Sequence, residues 1–374
     1  MSFAVGRQGE NSGAPNMASG APPYPWILHP TIDLLLCCGG IFWLLIAALI
    51  FAGWHPALLN KSFLVAAVVS GSIFHHLLSD PHHPATLHRV YLARHGNAAL
   101  RKKVTVLAFI ALAVALSIYF VRDTSLLCIK LIVAWGIYHQ LAQSYGVALI
   151  YCFKRQVRLD RWEKLIVGGL VNCCAVYLIL RMFSAGPYSQ TLVGGLTLKS
   201  WAFVPESLTA SAQILTQLSI LAFFAMVLRK YLKEKQWFPL PAMLTLLTLV
   251  IMPFVAGTSF SLVWVWFSTV FFHSSQYLVV ATAFHIKDRG LPQNIGLKDV
   301  AKMLKTSVFL QYFGGLFACG FLLSYVLPNV LARGNADAAF IFAAVWAFLN
   351  VHHYASDGLT WKLRDPAIRE LLVS

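Results

Sequence analysis

Two segments of the chain share the pattern His-His-x-x-Ser-Asp. One is His75-His76-Leu77-Leu78-Ser79-Asp80, followed at once by Pro81-His82-His83. The other is His352-His353-Tyr354-Ala355-Ser356-Asp357. Neutral imidazole and carboxylate are the ligand types of iron, zinc, copper and manganese. In the pairs His76/Asp80 and His353/Asp357 the carboxylate falls at i+4 from the imidazole. On a helix that spacing puts both on one face. Both can then bind one metal, or the carboxylate can orient the ring.

A second pattern recurs once on each side of the chain's middle. His139 is followed by Gln143 and Tyr145, and His273 by Gln276 and Tyr277. A metal-bound imidazole usually donates its second N–H to a polar partner. Gln143, Tyr145, Gln276 and Tyr277 are expected to fill that role. The candidate metal ligands are therefore His75, His76, Asp80, His82, His83, His139, His273, His352, His353 and Asp357. This set exceeds one tetrahedral zinc site, so two ions, or one ion with many supporting groups, are expected. His55, His88 and His95 read as loop or headgroup residues, and His285 as interfacial.

Of the 374 residues, 58% are hydrophobic and 11% are charged, against about 25% charged in an ordinary soluble domain. That argues against a soluble enzyme, a disordered chain or a fibrous repeat, and mean hydropathy is +0.68. The reading is an all-α polytopic membrane bundle of about ten spans. The expected spans are Asp33–Gly53, Phe63–Leu78, Val104–Val121, Ser125–Phe153, Lys164–Phe183, Ser211–Leu228, Ala242–Ala256, Phe260–His285, Thr306–Leu327 and Ala338–Tyr354. Residues 1–28 read as a flexible polar tail and 29–374 as one transmembrane domain. The net charge of +15 comes in short clusters between apolar runs, as in membrane loops, so no nucleic-acid partner is expected. Of the seven cysteines none forms Cys-x-x-Cys, and neither a disulfide framework nor a zinc ribbon is expected. No Gly-x-Ser-x-Gly hydrolase motif occurs.

Basic residues mark the loops after even-numbered spans, for example Arg101-Lys102-Lys103, Lys154-Arg155 and Arg229-Lys230. By the positive-inside rule both termini are cytoplasmic. The ligand-type residues, all on even-numbered spans or just past them, then face the cytoplasm.

A histidine-rich polytopic chain with this layout resembles the membrane-bound di-iron desaturases and hydroxylases. The paired His75-His76, His82-His83 and His352-His353 carry the resemblance. The three-box spacing of that family is missing, and Asp80 and Asp357 are additions to its pattern. The resemblance implies iron, two ions, with another transition metal as the variant. It further implies oxygen-dependent oxidoreduction of a membrane lipid or other apolar substrate, and an electron-donor protein. Two other readings compete: a haem- or pigment-ligating subunit of a larger membrane complex, and a metal or proton transporter.

The loop phase makes a prediction. Reporters fused after Ser374 and within residues 184–210 report opposite sides of the membrane; both on one side would contradict the orientation.

Overall fold

The computed structural model of the chain describes residues 25–54, 73–94, 97–184, 191–193, 196–198, 202–255, 269–290, 302, 305–362, 365, 368–369 and 372. Within them the architecture is all-helical apart from one short hairpin. The helices are α1 (Pro30–Cys37), α2 (Gly40–Trp54), α3 (His75–Ser79), α4 (His82–Tyr91), α5 (Ala98–Phe120), α6 (Arg122–Lys154) and α7 (Arg161–Met182). After the hairpin come α8 (Glu206–Glu234), α9 (Leu240–Val255), α10 (Thr269–Ser274), α11 (Ser275–Asp288), α12 (Ser307–Ala332) and α13 (Ala338–Thr360).

Six of these, α5, α6, α7, α8, α12 and α13, are long and apolar enough to cross a membrane. α1 and the start of α2 pass the same test only when taken together, as a pair bent by 51°. The chain is a membrane protein. The expected second span lies mostly outside the described residues, as does the start of the eighth. At the seventh, α9 has 16 residues, somewhat under the usual span length of about 20. Between α7 and α8 lies a hairpin, β1 (Thr191–Val193) against β2 (Leu196–Leu198), antiparallel with Leu192 opposite Thr197.

Local chemistry sets the ends of these helices. Asn97 Oδ1 accepts from Ala99 N at 2.8 Å and opens α5. Asp160 and Glu163 form a reciprocal capping box that starts α7. Pro81 and Pro84 fall at the start of α4, where a missing N–H costs nothing. The bend after α1 is built on Gly39, whose φ of +80° excludes an ordinary side chain. A Cβ there would also come within 2.8 Å of the Phe272 ring.

Apolar packing forms one large cluster and several smaller ones. The large one joins α6, α7, α8, α9 and α11 around Tyr151, Leu170, Phe223 and Phe284. A second lies between α5, α6 and α13 around Ile118, Ile129 and Ala347. Two buried charged groups among these clusters, Lys230 and Asp33, are paired. The Lys230 ammonium, in α8, lies 3.2 Å from Glu163 of α7 and 2.9 Å from Glu234. Asp33 is fully buried and accepts from the backbone N–H groups of Ile27, Leu28 and His29 at 2.6, 3.0 and 3.2 Å. The Tyr151 hydroxyl of α6 donates to the same carboxylate at 3.0 Å.

Close helix contact holds α3 and α4 in place. On α12, a Cβ at Gly320 would meet the backbone carbonyl carbon and oxygen of Asp80 at 2.8 Å. Overpacking of that kind costs about 1–3 kcal/mol. Gly320→Ala is accordingly expected to lower the thermal midpoint of the purified protein; an unchanged midpoint would show that α12 and Asp80 are not in tight register.

Candidate metal centre

Four elements deliver imidazoles to one buried point. α4 brings His82 and His83, α6 brings His139, α10 brings His273, and α13 brings His353 with Asp357. Nitrogens of His82, His273 and His353 lie within 4.8 Å of one another. Atoms of His139, His353 and Asp357 do the same, so His353 belongs to both groups. The rings confirm the convergence: centroids are 4.5 Å apart for His82/His353, 5.0 Å for His139/His353 and 5.1 Å for His139/His273.

The donor atoms are spaced for a metal. Asp357 Oδ2 is 3.5 Å from His353 Nε2 and 3.7 Å from His139 Nε2. Those gaps are longer than hydrogen bonds. Two ligands each about 2.1 Å from one ion at a tetrahedral angle lie about 3.4 Å apart. Among the described residues, His139 Nε2, His273 Nδ1 and His353 Nε2 are buried without a hydrogen-bond partner. A buried polar atom left unpaired costs about 1–3 kcal/mol. Several orphans aimed at one point are what a ligand set presents before its ion is added.

Other contacts fix the rings. The Nδ1 of His82 meets the Ser79 carbonyl oxygen, which leaves Nε2 as the lone-pair nitrogen. The Nδ1 of His353 is 2.9 Å from Thr86 Oγ1, which leaves its Nε2 free toward Asp357. Thr86 is itself 2.5 Å from the Tyr277 hydroxyl and 3.1 Å from Asp357 Oδ1. Tyr277 donates to the same carboxylate oxygen at 3.1 Å and accepts from Trp361 Nε1 at 3.2 Å. One carboxylate oxygen is thus held by hydroxyls while the other faces the imidazoles. Gln143 Nε2 donates to the His273 carbonyl at 2.8 Å and lies 3.3 Å from Gln276 Oε1, tying α6 to the α10–α11 junction.

Backbone geometry contributes too. α3 and α10 are wide turns with i→i+5 spacing. Such turns are frequent at functional sites because they shift the register of the side chains that follow. In α10 the turn delivers His273; in α3 it sets His75, His76 and Asp80.

The structure sorts the remaining candidates. His76 Nδ1 bonds Asp80 Oδ2 at 2.9 Å, His75 Nε2 is 3.6 Å from Asp80 Oδ1, and the Tyr325 hydroxyl is 2.6 Å from His76 Nε2. This trio is a separate group, with the His76 side chain 41% exposed. It is linked to the centre by a cavity of about 240 Å³ lined by His75, Asp80, His82, His83 and His273. His352 turns away, stacked on Phe348 at 6.2 Å. Tyr145 packs into the large apolar cluster and does not reach the centre. His88 and His285, read from the sequence as a loop or headgroup residue and an interfacial one, instead pack together: His285 is buried and His88 half-buried, their rings are 5.0 Å apart, and Tyr312 lies against both. His55 and His95 lie outside the described residues.

Thr86, Tyr354 and Trp361 belong to the site but were not among the sequence candidates. Thr86 follows His82 at i+4, a signal visible once α4 is known to be a helix. The Tyr354 ring lies 4.5 Å from that of His139. Its approach needs Gly136, where a Cβ would sit 2.7 Å from the Tyr354 hydroxyl. Tyr354 lines both the cavity just described and a second one of about 660 Å³, which also reaches His139, Tyr277 and Asp357.

Burial holds the α4 imidazoles neutral. Desolvation lowers His82 to about 4 and His83 well below the usual range, with neighbouring imidazoles adding to the effect. Neutral rings are the ligand form. No family model, curated protein or solved structure matches the chain. Its class rests on its own features: a helical membrane protein with a buried His/Asp cluster able to hold a metal.

A depressed histidine destabilises the fold once the unfolded chain takes up a proton that the folded chain refuses. For metal-free protein, His82 removes stability as pH falls below its usual 6.5, and the loss levels off near 4. The thermal midpoint should fall across that window. A midpoint independent of pH there would contradict a buried neutral His82.

Proposed function

We propose that this protein is a membrane-embedded non-haem metal oxidoreductase acting on a lipid or other apolar substrate, with iron, two ions, as its cofactor. One observation carries the reading: His82, His139, His273, His353 and Asp357 converge with unpartnered nitrogens inside a bundle of apolar helices. A charge or polar group inside a membrane bundle is costly and is retained for function. Neutral imidazoles with a carboxylate suit iron and other borderline metals, and no cysteine takes part in either candidate ligand group.

Iron held there would supply redox chemistry and a site for dioxygen. The chain's own residues do the rest. His353 is the shared ligand, its tautomer set by Thr86. Asp357 balances positive charge with Oδ2, while Tyr277 and Thr86 hold Oδ1. Tyr354 lines both cavities and packs its ring against His139. The phase of the basic loops supports ten spans with both termini and the centre on the cytoplasmic side. An electron-donor protein would then approach from that side.

Elemental analysis with an optical spectrum tests the reading. Wild type should carry iron. His353→Ala and Asp357→Ala should lose it, whereas His352→Ala, whose ring faces away, keeps it. His76→Ala should lose less than His353→Ala. A folded preparation that retains no transition metal would overturn the proposal, and an intense Soret band would redirect it to haem ligation.

A further inference from the structure

The second cavity, about 660 Å³, runs along a single face of α6. Its α6 lining is Trp135, Tyr138, His139, Ala142, Gln143, Gly146, Val147 and Ile150, a helical repeat of three and four. At about 1.5 Å per residue that face is about 22 Å long, against a bilayer core of about 30 Å. The cavity is wide because its walls are small: Ala142 and Gly146 on α6, Ala355 and Gly358 on α13. Cβ atoms added at Gly146 or Gly358 would meet nothing within 4 Å, so neither glycine is there to admit a neighbour.

Polarity along the cavity is uneven. Two of its lining atoms are buried and unpartnered, His139 Nε2 and Gln143 Oε1. They lie one helical turn apart, close to Asp357 and Tyr277. From Gly146 onward the α6 lining is Val147 and Ile150, with Leu372 of the C-terminal segment, and carries no polar side chain. A space with its unpartnered polar atoms between His139 and Gln143 and an apolar stretch from Gly146 to Ile150 has the chemistry of a single-chain amphiphile.

We infer that this cavity holds one long hydrocarbon chain, such as a fatty acyl or fatty alcohol chain, with its reactive carbon at His139/Asp357 and its tail past Gly146. The choice of reactive end rests on the oxidoreductase reading; the chain-binding cavity does not. Gly146 sets how far the tail extends. It is seven residues beyond His139, about 10 Å along the helix, so a side chain there blocks the tail without touching the metal ligands.

The test uses the full-length protein and cis-parinaric acid, a fluorescent long-chain polyene acid, read by energy transfer from tryptophan. Trp135 and Trp361 line the cavity. Wild type should bind the probe saturably, and excess oleic acid should displace it. Gly146→Phe should weaken binding at least tenfold with metal content and thermal midpoint unchanged, and Gly146→Ala should fall between. Gly168→Phe is the control, since a Cβ there also meets open space but Gly168 lines neither cavity. Equal binding by wild type and Gly146→Phe would overturn the inference, as would no saturable binding by wild type. Probe binding that persists in a protein found to hold no metal supports the cavity assignment and overturns only the oxidoreductase reading.

Discussion

The centre of this bundle turns on imidazole nitrogens that find no hydrogen-bond partner among the described residues. A buried imidazole can be neutralised cheaply by losing its proton, but its lone pair still wants a donor or an ion. His139, His273 and His353 each keep such an atom within reach of the others. In water these atoms would be solvated at no cost. Inside packed helices they persist because the surrounding contacts outweigh them. The apolar cluster around Tyr151 and Phe223 supplies cohesion far from the orphans.

Positioning is divided between rigid and polar devices. The hydroxyls of Thr86 and Tyr277, with the indole N–H of Trp361 donating to Tyr277, make a polar chain across α4, α11 and the end of α13. Glycines do the complementary work by letting backbones and rings approach. Gly320 brings α12 onto Asp80, and Gly136 admits Tyr354. Two wide turns then rotate His75, His76 and His273 relative to a regular helix. The result is two ligand groups sharing His353, with a cavity reaching each.

Much of this was legible in the residues and part was not. The i+4 pair His353/Asp357 and the inner pair His139 and His273 could be read as one site because costly groups recur on apolar helices. Tyr277 was legible because it follows His273 by four residues and so shares a face. Tyr145 follows His139 by six, about 240° around the helix, and packs elsewhere. His352 and His353 are adjacent, about 100° apart, and only the fold could say which one faces inward. α4 was hidden because a ten-residue polar helix between apolar spans has the composition of a loop. Its burial comes from α11, α12 and α13, which no local pattern records. The strands at 191–198 were missed for a similar reason: three-residue strands are too short for a period to show.

The knot around Asp33 bears on how the chain is assembled during synthesis. Three of the four groups that hold its carboxylate come from residues 27–29, made just before it. The fourth, the hydroxyl of Tyr151, is made 118 residues later. The bent segment can therefore shield its acid locally as it leaves the ribosome, with the amide donors it already carries. The carboxylate's last partner is in place only when α6 has been made, and α11 adds a further tie through Ser275 Oγ to the Leu36 carbonyl at 2.8 Å. The same carboxylate that would obstruct insertion of a straight span becomes the anchor joining the start of the bundle to its centre.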